Sequence, residues 1–198
     1  MGRRTWMVLA WLLSAMSSVD AGPHLFRDDE APPLSGWVEF CDRHPEECAV
    51  DLRQPEMIPL TEELSALLSS VNLSVNRSLL PVTDHDHWGI VELWSYPADG
   101  LGDCEDYQLL KRRMLVDAGL PRRALRMTVV LDENGEGHAV LTVRTDRGDL
   151  ILDNKTDAVL EWFRTNYRYI KRESAETAGW VYLTLEPAGA ALTSSPGN

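Results

Sequence analysis

Basic residues are scarce in this 198-residue chain: 19 Lys and Arg stand against 31 Asp and Glu, a formal net charge of −12. That deficit argues against nucleic acid and anionic membrane surfaces as partners, because both are bound through clustered positive charge. A cationic or calcium-bearing partner suits the balance better. Internal repeats are absent, which excludes a repeat array. Long apolar runs are also lacking. The one apolar stretch, Trp6 to Met16, is too short to span a bilayer. It has two arginines ahead and the small-residue stretch ending Val19-Asp20-Ala21 behind, the three-part form of a secretory signal peptide cleaved after Ala21; an uncleaved anchor is the alternative. No second stretch could cross a membrane, so after signal cleavage the chain is not expected to be an integral membrane protein. Without residues 1–21 the balance is 17 basic to 30 acidic and the net charge −13.

Cysteine is nearly as scarce. Export makes disulfides available, and an odd number of thiols leaves one over. Cys41 and Cys48, in "EFCDRHPEECAVD", are close enough to close a small loop around Pro45. A disulfide is expected there, two reduced buried thiols being the alternative. Cys104 is then the free cysteine.

The length suits one domain with a proper core. Residues 22–35 carry three prolines and no period, and read as an extended, mobile lead-in. The domain occupies 36–187, and residues 188–198 form a small, polar, disordered tail. Within the domain, a short helix is expected from Trp37 to Arg43, stopped before Pro45. A second is opened by Thr61 with Glu62 and Glu63, and carries Leu64, Leu67, Leu68 and Val71 at helical spacing. Residues 77–101 form a long, aromatic connection. A third helix starts at "GDCEDY", with Asp103 as its cap, and stops at Gly119 before Pro121. Tyr107, Leu110, Met114 and Ala118 mark its inward stripe. The period then changes to two. "ALRMTVVL", "HAVLTVRT" and "LILDN" form an antiparallel meander joined by "DENGEG" and "DRGD". "AVLEWFRTNYRYI" reads as a helix or an irregular aromatic segment, and "GWVYLTLEP" as a last strand. The class is α+β.

Cys104 falls in the first turn of the third helix, where unpaired N–H groups and partial positive charge favour a thiolate. Asp103, Glu105 and Asp106 oppose this, since the helix dipole contributes only about 1 kcal/mol. A stronger cation is required nearby. His138, at the start of the second meander strand, can supply it, and Asp153 ends the neighbouring strand at the same edge, two to four residues out of register. Twist or a bulge at Gly148 would bring them together. Cys104, His138 and Asp153 then make nucleophile, general base and orienting group. On spacing alone the plainer readings stand beside this one: a small buried hydrophobe, a half-exposed histidine and a turn aspartate.

"GDCEDYQLLKRRMLVDAGLP", "GHAVLTVRTDRGDLILDN", "DHWGIVELWSYP" and "GWVEFCDRHPEEC" together resemble the bacterial transglutaminase-like cysteine proteinases, the family that includes periplasmic, adhesin-cleaving LapG-type proteases. The resemblance runs from about Gly36 to Leu185. It implies a papain/transglutaminase-like α+β fold, with N-terminal helices and the nucleophile at a helix N-terminus packed on an antiparallel meander. It also implies catalysis by Cys104, His138 and Asp153, and a periplasmic or secreted cysteine endopeptidase acting on a surface or exported protein through a thioester. A glutamine acyl transferase or deamidase with the same triad, or a catalytically idle partner-binding domain, are the alternatives. LapG-type members bind calcium through acids flanking the nucleophile, which here are Asp103 and Glu105; Asp103 as a helix cap is the plainer reading. An inhibitory or sequestering protein partner is likewise implied, and no organic cofactor. Trp94 is a candidate for the cleft wall or an oxyanion donor, with burial in the core as its other reading. His85 and His87 stand at i, i+2, too sparse a set for zinc. Tyr107 and Trp162 are read as core.

Overall fold

Thr61 accepts a hydrogen bond from the Leu64 N–H through its hydroxyl, and the helix it opens buries Leu68, Val71, Asn72 and Val75. That helix is one of five in the computed structural model, which describes residues 23–184. In chain order the elements are β1 (Phe26–Ala31), α1 (Ser35–Arg43), α2 (Pro45–Cys48), α3 (Glu62–Ser78), β2 (Leu80–Pro81), α4 (Asp84–Trp88), β3 (Leu101–Gly102) and α5 (Cys104–Asp117). They continue with β4 (Leu125–Leu131), β5 (Gly137–Thr145), β6 (Gly148–Leu152), β7 (Leu160–Glu161), β8 (Arg168–Glu173) and β9 (Trp180–Thr184). Seven strands form one antiparallel sheet in the order β1-β9-β8-β4-β5-β6-β7, and β2 and β3 pair in parallel beside it.

Helices α1, α3 and α5 enclose the main core against the sheet, with Trp37, Phe40, Leu68, Leu109, Leu115, Met127, Leu141 and Trp180 buried within it. A second cluster, built from Leu25, Val130, Val140, Ile151, Tyr169 and Leu183, forms a separate apolar group. The fold is α+β and papain/transglutaminase-like, with α5 packed on the sheet. Among the described residues no helix is long and apolar enough to cross a membrane.

The meander follows the sequence pattern closely, and Cys41 and Cys48 are joined by a disulfide. Other expectations give way. Residues 26–31, read as a mobile lead-in, form edge strand β1 against β9, because Phe26 and Arg27 pair with Thr184 and Leu183 across a shift in register. The proposed signal peptide and tail lie outside the described residues. The aromatic segment 158–170 is neither one helix nor irregular throughout: it holds β7, a 3₁₀ turn at Trp162–Arg164 and the start of β8. The long connection of 77–101 contains α4, capped by the Thr83 hydroxyl. Helix α5 stops at Gly119, whose φ of +95° suits glycine. Its inward stripe is misplaced, however: Ala118 is exposed, while Gln108, Lys111 and Arg112 are buried beside Tyr107 and Leu109. The helix crosses the interior with apolar and polar sides both covered, so a one-sided stripe does not describe it.

Candidate active site

Cys104 opens α5, and the first hydrogen bond of the helix runs from Tyr107 N–H to the Asp103 carbonyl at 3.2 Å. The Cys104 N–H therefore lies ahead of the helical ladder. Strand β6 pairs with β5 only as far as Leu141↔Leu152, leaving the β5 edge open beyond it. There the Ala139 N–H donates to Cys104 Sγ at 3.4 Å, which brings the thiol against the residue next to His138.

His138 Nε2 and Asp153 Oδ1 are 2.8 Å apart, and both residues are buried. No bulge at Gly148 is needed to join them. The β5–β6 ladder is regular, and extending it places Asp153 opposite Val140, two residues from His138 on the same face. Two further groups fix the carboxylate, and a third fixes the backbone that carries it. Tyr167 donates its hydroxyl to Oδ2, the Lys155 N–H donates to Oδ1 at 3.1 Å, and the Asp153 N–H donates to Asn72 Oδ1 at 3.2 Å. The Tyr167 ring also meets the His138 ring edge-on at 5.6 Å. Burial would raise the Asp153 pKa, but the hydrogen bonds and charge of His138, with the Tyr167 hydroxyl, hold it below the usual carboxylate value. Asp153 is thus an ionised acceptor, and Nδ1 is the imidazole nitrogen left for other work.

The acids around Cys104 form a second group. Asp103 occupies the N-cap position, yet its side chain makes no capping bond, a correction to its reading as a cap. Its Oδ2 instead accepts from the Asp84 N–H at 3.2 Å, while Oδ1 is buried without a partner. Asp84, at the start of α4, accepts the Leu93 N–H. Asp84, Asp103 and Glu105 present oxygens that all lie within 4.8 Å of one another. Burial and the Asp103 charge push Glu105 up to about 9, and burial, then Asp103 and Asp84, push Asp106 up to about 8. Cys104 is raised well above its ordinary value by burial and by Glu105, whose Oε2 accepts the thiol hydrogen at 3.2 Å. An orphaned buried carboxylate oxygen and three converging carboxylates are the donor set that a hard cation takes. The residues fit a calcium-class ion. Asp106 stands behind them, its Oδ1 taking the Ser95 N–H at 2.8 Å. A Cβ on Gly102 would fall 2.7 Å from Asp106 Oδ2, so glycine is what lets β3 pass this acid.

Of the two readings of Trp94, burial in the core is the one the structure takes. It is almost completely buried and packs at 5.2 Å from Trp37 and 6.2 Å from Trp180, and its indole N–H donates to Glu92 at 2.8 Å. Its donor is committed within the core and is not offered to an oxyanion. His87 bonds Asp99 at 2.9 Å and His85 faces Asp86 at 3.5 Å, and neither joins the acid cluster. Trp162 is only partly buried, with its N–H donated to the Pro23 carbonyl at 2.9 Å.

Against this geometry, the family model for bacterial transglutaminase-like cysteine proteinase, BTLCP, matches residues 27–187. The chain belongs to this family. It is a transglutaminase-like cysteine peptidase, a class that acts on protein substrates. Among solved structures, calcium-bound Legionella pneumophila LapG is 26% identical with a TM-score of 0.53, over 65% of this chain and 74% of that one. A further Legionella pneumophila LapG structure is 29% identical with a TM-score of 0.50, over 60% and 68%. An EGTA-treated form of the same protein is 27% identical with a TM-score of 0.50, over 61% and 67%. No curated protein sequence matches. Asp84, which sequence reasoning missed, joins the site from α4, nineteen residues before Asp103.

Proposed function

We propose that this family member is an exported cysteine endopeptidase in which Cys104 is the nucleophile, His138 the general base and Asp153 the group that orients it. The observation that carries the reading is the pairing of His138 Nε2 with Asp153 while Cys104 Sγ rests on the adjoining Ala139 N–H. With Nε2 engaged, Nδ1 takes the thiol proton and the sulfur adds to a peptide carbonyl. The carbonyl electron pair moves onto oxygen, where the Cys104 N–H ahead of the helical ladder stabilises it. Collapse breaks the C–N bond, and the leaving amine takes the proton from Nδ1. Water then loses a proton to Nδ1 and adds to the thioester. The acid product leaves and the thiol recovers its proton.

Asp84, Asp103 and Glu105 would hold Ca²⁺, the ion present in the calcium-bound LapG neighbour. When bound it supplies positive charge that offsets the acids beside the thiol. A periplasmic or secreted location is supported by the disulfide and by the form of residues 1–21.

The test is incubation with surface and exported proteins of the producing cells in H₂¹⁸O, followed by terminal-peptide mass spectrometry. Hydrolysis predicts ¹⁸O in each new carboxyl terminus, loss of cleavage in Cys104→Ser and a 10²- to 10⁴-fold slower reaction in His138→Ala. Products that persist in Cys104→Ser would remove the nucleophile assignment. Amine incorporation without ¹⁸O would make the site an acyl transferase.

A further inference from the structure

A different region of the molecule carries more positive charge than the described carboxylates around it offset. Arg126, on β4, is 4% exposed and lines two cavities, of about 410 Å³ and about 300 Å³. Arg112, Arg122 and Arg123 also face the first cavity, and Arg144 and Arg172 the second. The carboxylates nearby are already taken. Glu47 accepts from Arg122 and Arg112, and Glu173 from Arg112 and the Met127 N–H. Asp149 accepts from Arg172, Arg144 and the Leu25 N–H, and pairs with His24. Glu56 meets Arg144, with Arg123 4.0 Å away. In the same lining, half-exposed Asp51 pairs with Arg53, and exposed Glu46 faces His44.

Arg126 has none of these. Its Nη1 donates to the Ser174 carbonyl, while Nε and Nη2 are buried with no partner among the described residues. Burial and the charges of Arg172 and Arg112 lower its pKa to about 10, with Glu173 and Glu56 acting in the other direction. Eight arginines thus stand against five carboxylates in the lining of the two cavities, in a protein whose net charge is −12. Nε and Nη2 form one edge of the guanidinium fork, with two parallel N–H groups spaced for the two oxygens of a carboxylate or phosphate. A buried guanidinium edge left unpaired is costly; giving it an oxyanion removes the cost.

We propose that the cavities meeting at Arg126 form a binding site for a small oxyanion, of phosphate or carboxylate class, whose two oxygens occupy the Nε–Nη2 edge. The site is separate from the catalytic one. Cys104, His138, Asp153 and the acid cluster do not line either cavity, and Arg112 stands eight residues along α5 from Cys104. A bound anion would tie β4 to the Ser174–Gly179 bend, which walls the first cavity.

Thermal unfolding of the full chain in sodium phosphate or sodium succinate, against sodium chloride at equal ionic strength, tests this. A rise on the order of 5 °C is expected at hundredfold excess over Kd, and it should vanish in Arg126→Gln. A response to phosphate alone identifies a tetrahedral ligand, and a response to both a bidentate oxyanion in general. A response to neither, or an equal rise in Arg126→Gln from general salt exclusion, overturns the proposal. Amide exchange in the wild type gives a measurement that does not depend on the variant folding. Phosphate should slow exchange in residues 122–131 and 172–181, and unchanged rates there also overturn it.

Discussion

Lys111 lies in the middle of α5, completely buried, with its Nζ unpartnered and 5.9 Å from the Tyr107 ring. Burial lowers its pKa from 10.5 to about 7, against the opposing charges of Asp153 and Asp157. In the unfolded chain the same amine is protonated up to its ordinary value. Between pH 7 and 10.5 the unfolded state therefore binds the extra proton, and stability rises with pH on account of this group. The depression corresponds to roughly 5 kcal/mol against folding at or below pH 7, an upper bound because relaxation around the amine reduces it. Lys111→Met keeps most of the volume and removes the penalty, so the variant should be more stable than the wild type by about 2–4 kcal/mol at pH 7. At pH 10 the difference should nearly close. Urea unfolding at both pH values measures it, and the other titrating groups cancel in the comparison. A variant that is less stable at pH 7, or whose advantage is the same at pH 10, would refute the assignment of Lys111 as an uncompensated buried amine.

Tyr167→Phe removes the hydroxyl from Asp153 Oδ2 and leaves the ring on His138; cleavage should slow about tenfold, with little change in Tm, as measured by kcat/KM. Calcium should raise the Tm of the wild type, and EGTA should reverse the rise; Asp84→Asn should weaken the response, and an unchanged response would remove Asp84 from the site. In EGTA the folded state keeps protons on Glu105 to about 9 and on Asp106 to about 8, whereas the unfolded acids ionise near pH 4 to 4.5. The contribution of these two acids to stability should therefore fall as pH rises from about 4 to 9, and calcium should reduce that fall in urea titrations. Replacing Cys41 and Cys48 by serine opens a short loop and should cost on the order of 2 kcal/mol, read by the shift in urea midpoint.

Residues whose partners are close in the chain were readable in advance. Thr61 and its helix, the alternation through β4, β5 and β6, and the seven-residue spacing of the disulfide are all local patterns. The shared edge of His138 and Asp153 was also readable from one hairpin, although the bulge at Gly148 offered to join them is absent from the regular ladder. What escaped depends on distant partners. Residues 26–31 have the composition of a loose lead-in and become a strand only because β9 presents an edge. Asp103 has the sequence signature of a helix cap, and the acids of Glu105 and α4 divert it to another role. Trp94 looked available for catalysis until Trp37, Trp180 and Glu92 enclosed it. Gln108, Lys111 and Arg112 hid the burial of α5, since polar residues ordinarily mark a wet face.

The strand order places four strands between β1 and β6, yet the residues just before β1 reach β6 directly. The Leu25 N–H donates to Asp149 at 3.2 Å, His24 pairs with the same carboxylate, and the Leu25 side chain packs with Val130, Val140 and Ile151. The Pro23 carbonyl takes the Trp162 N–H. Residues 23–31 thus act as a strap that fastens β9 at one end and β6 at the other. A cut between Leu25 and Phe26 would loosen both sides of the sheet at once, at a distance in the chain from every residue of the site.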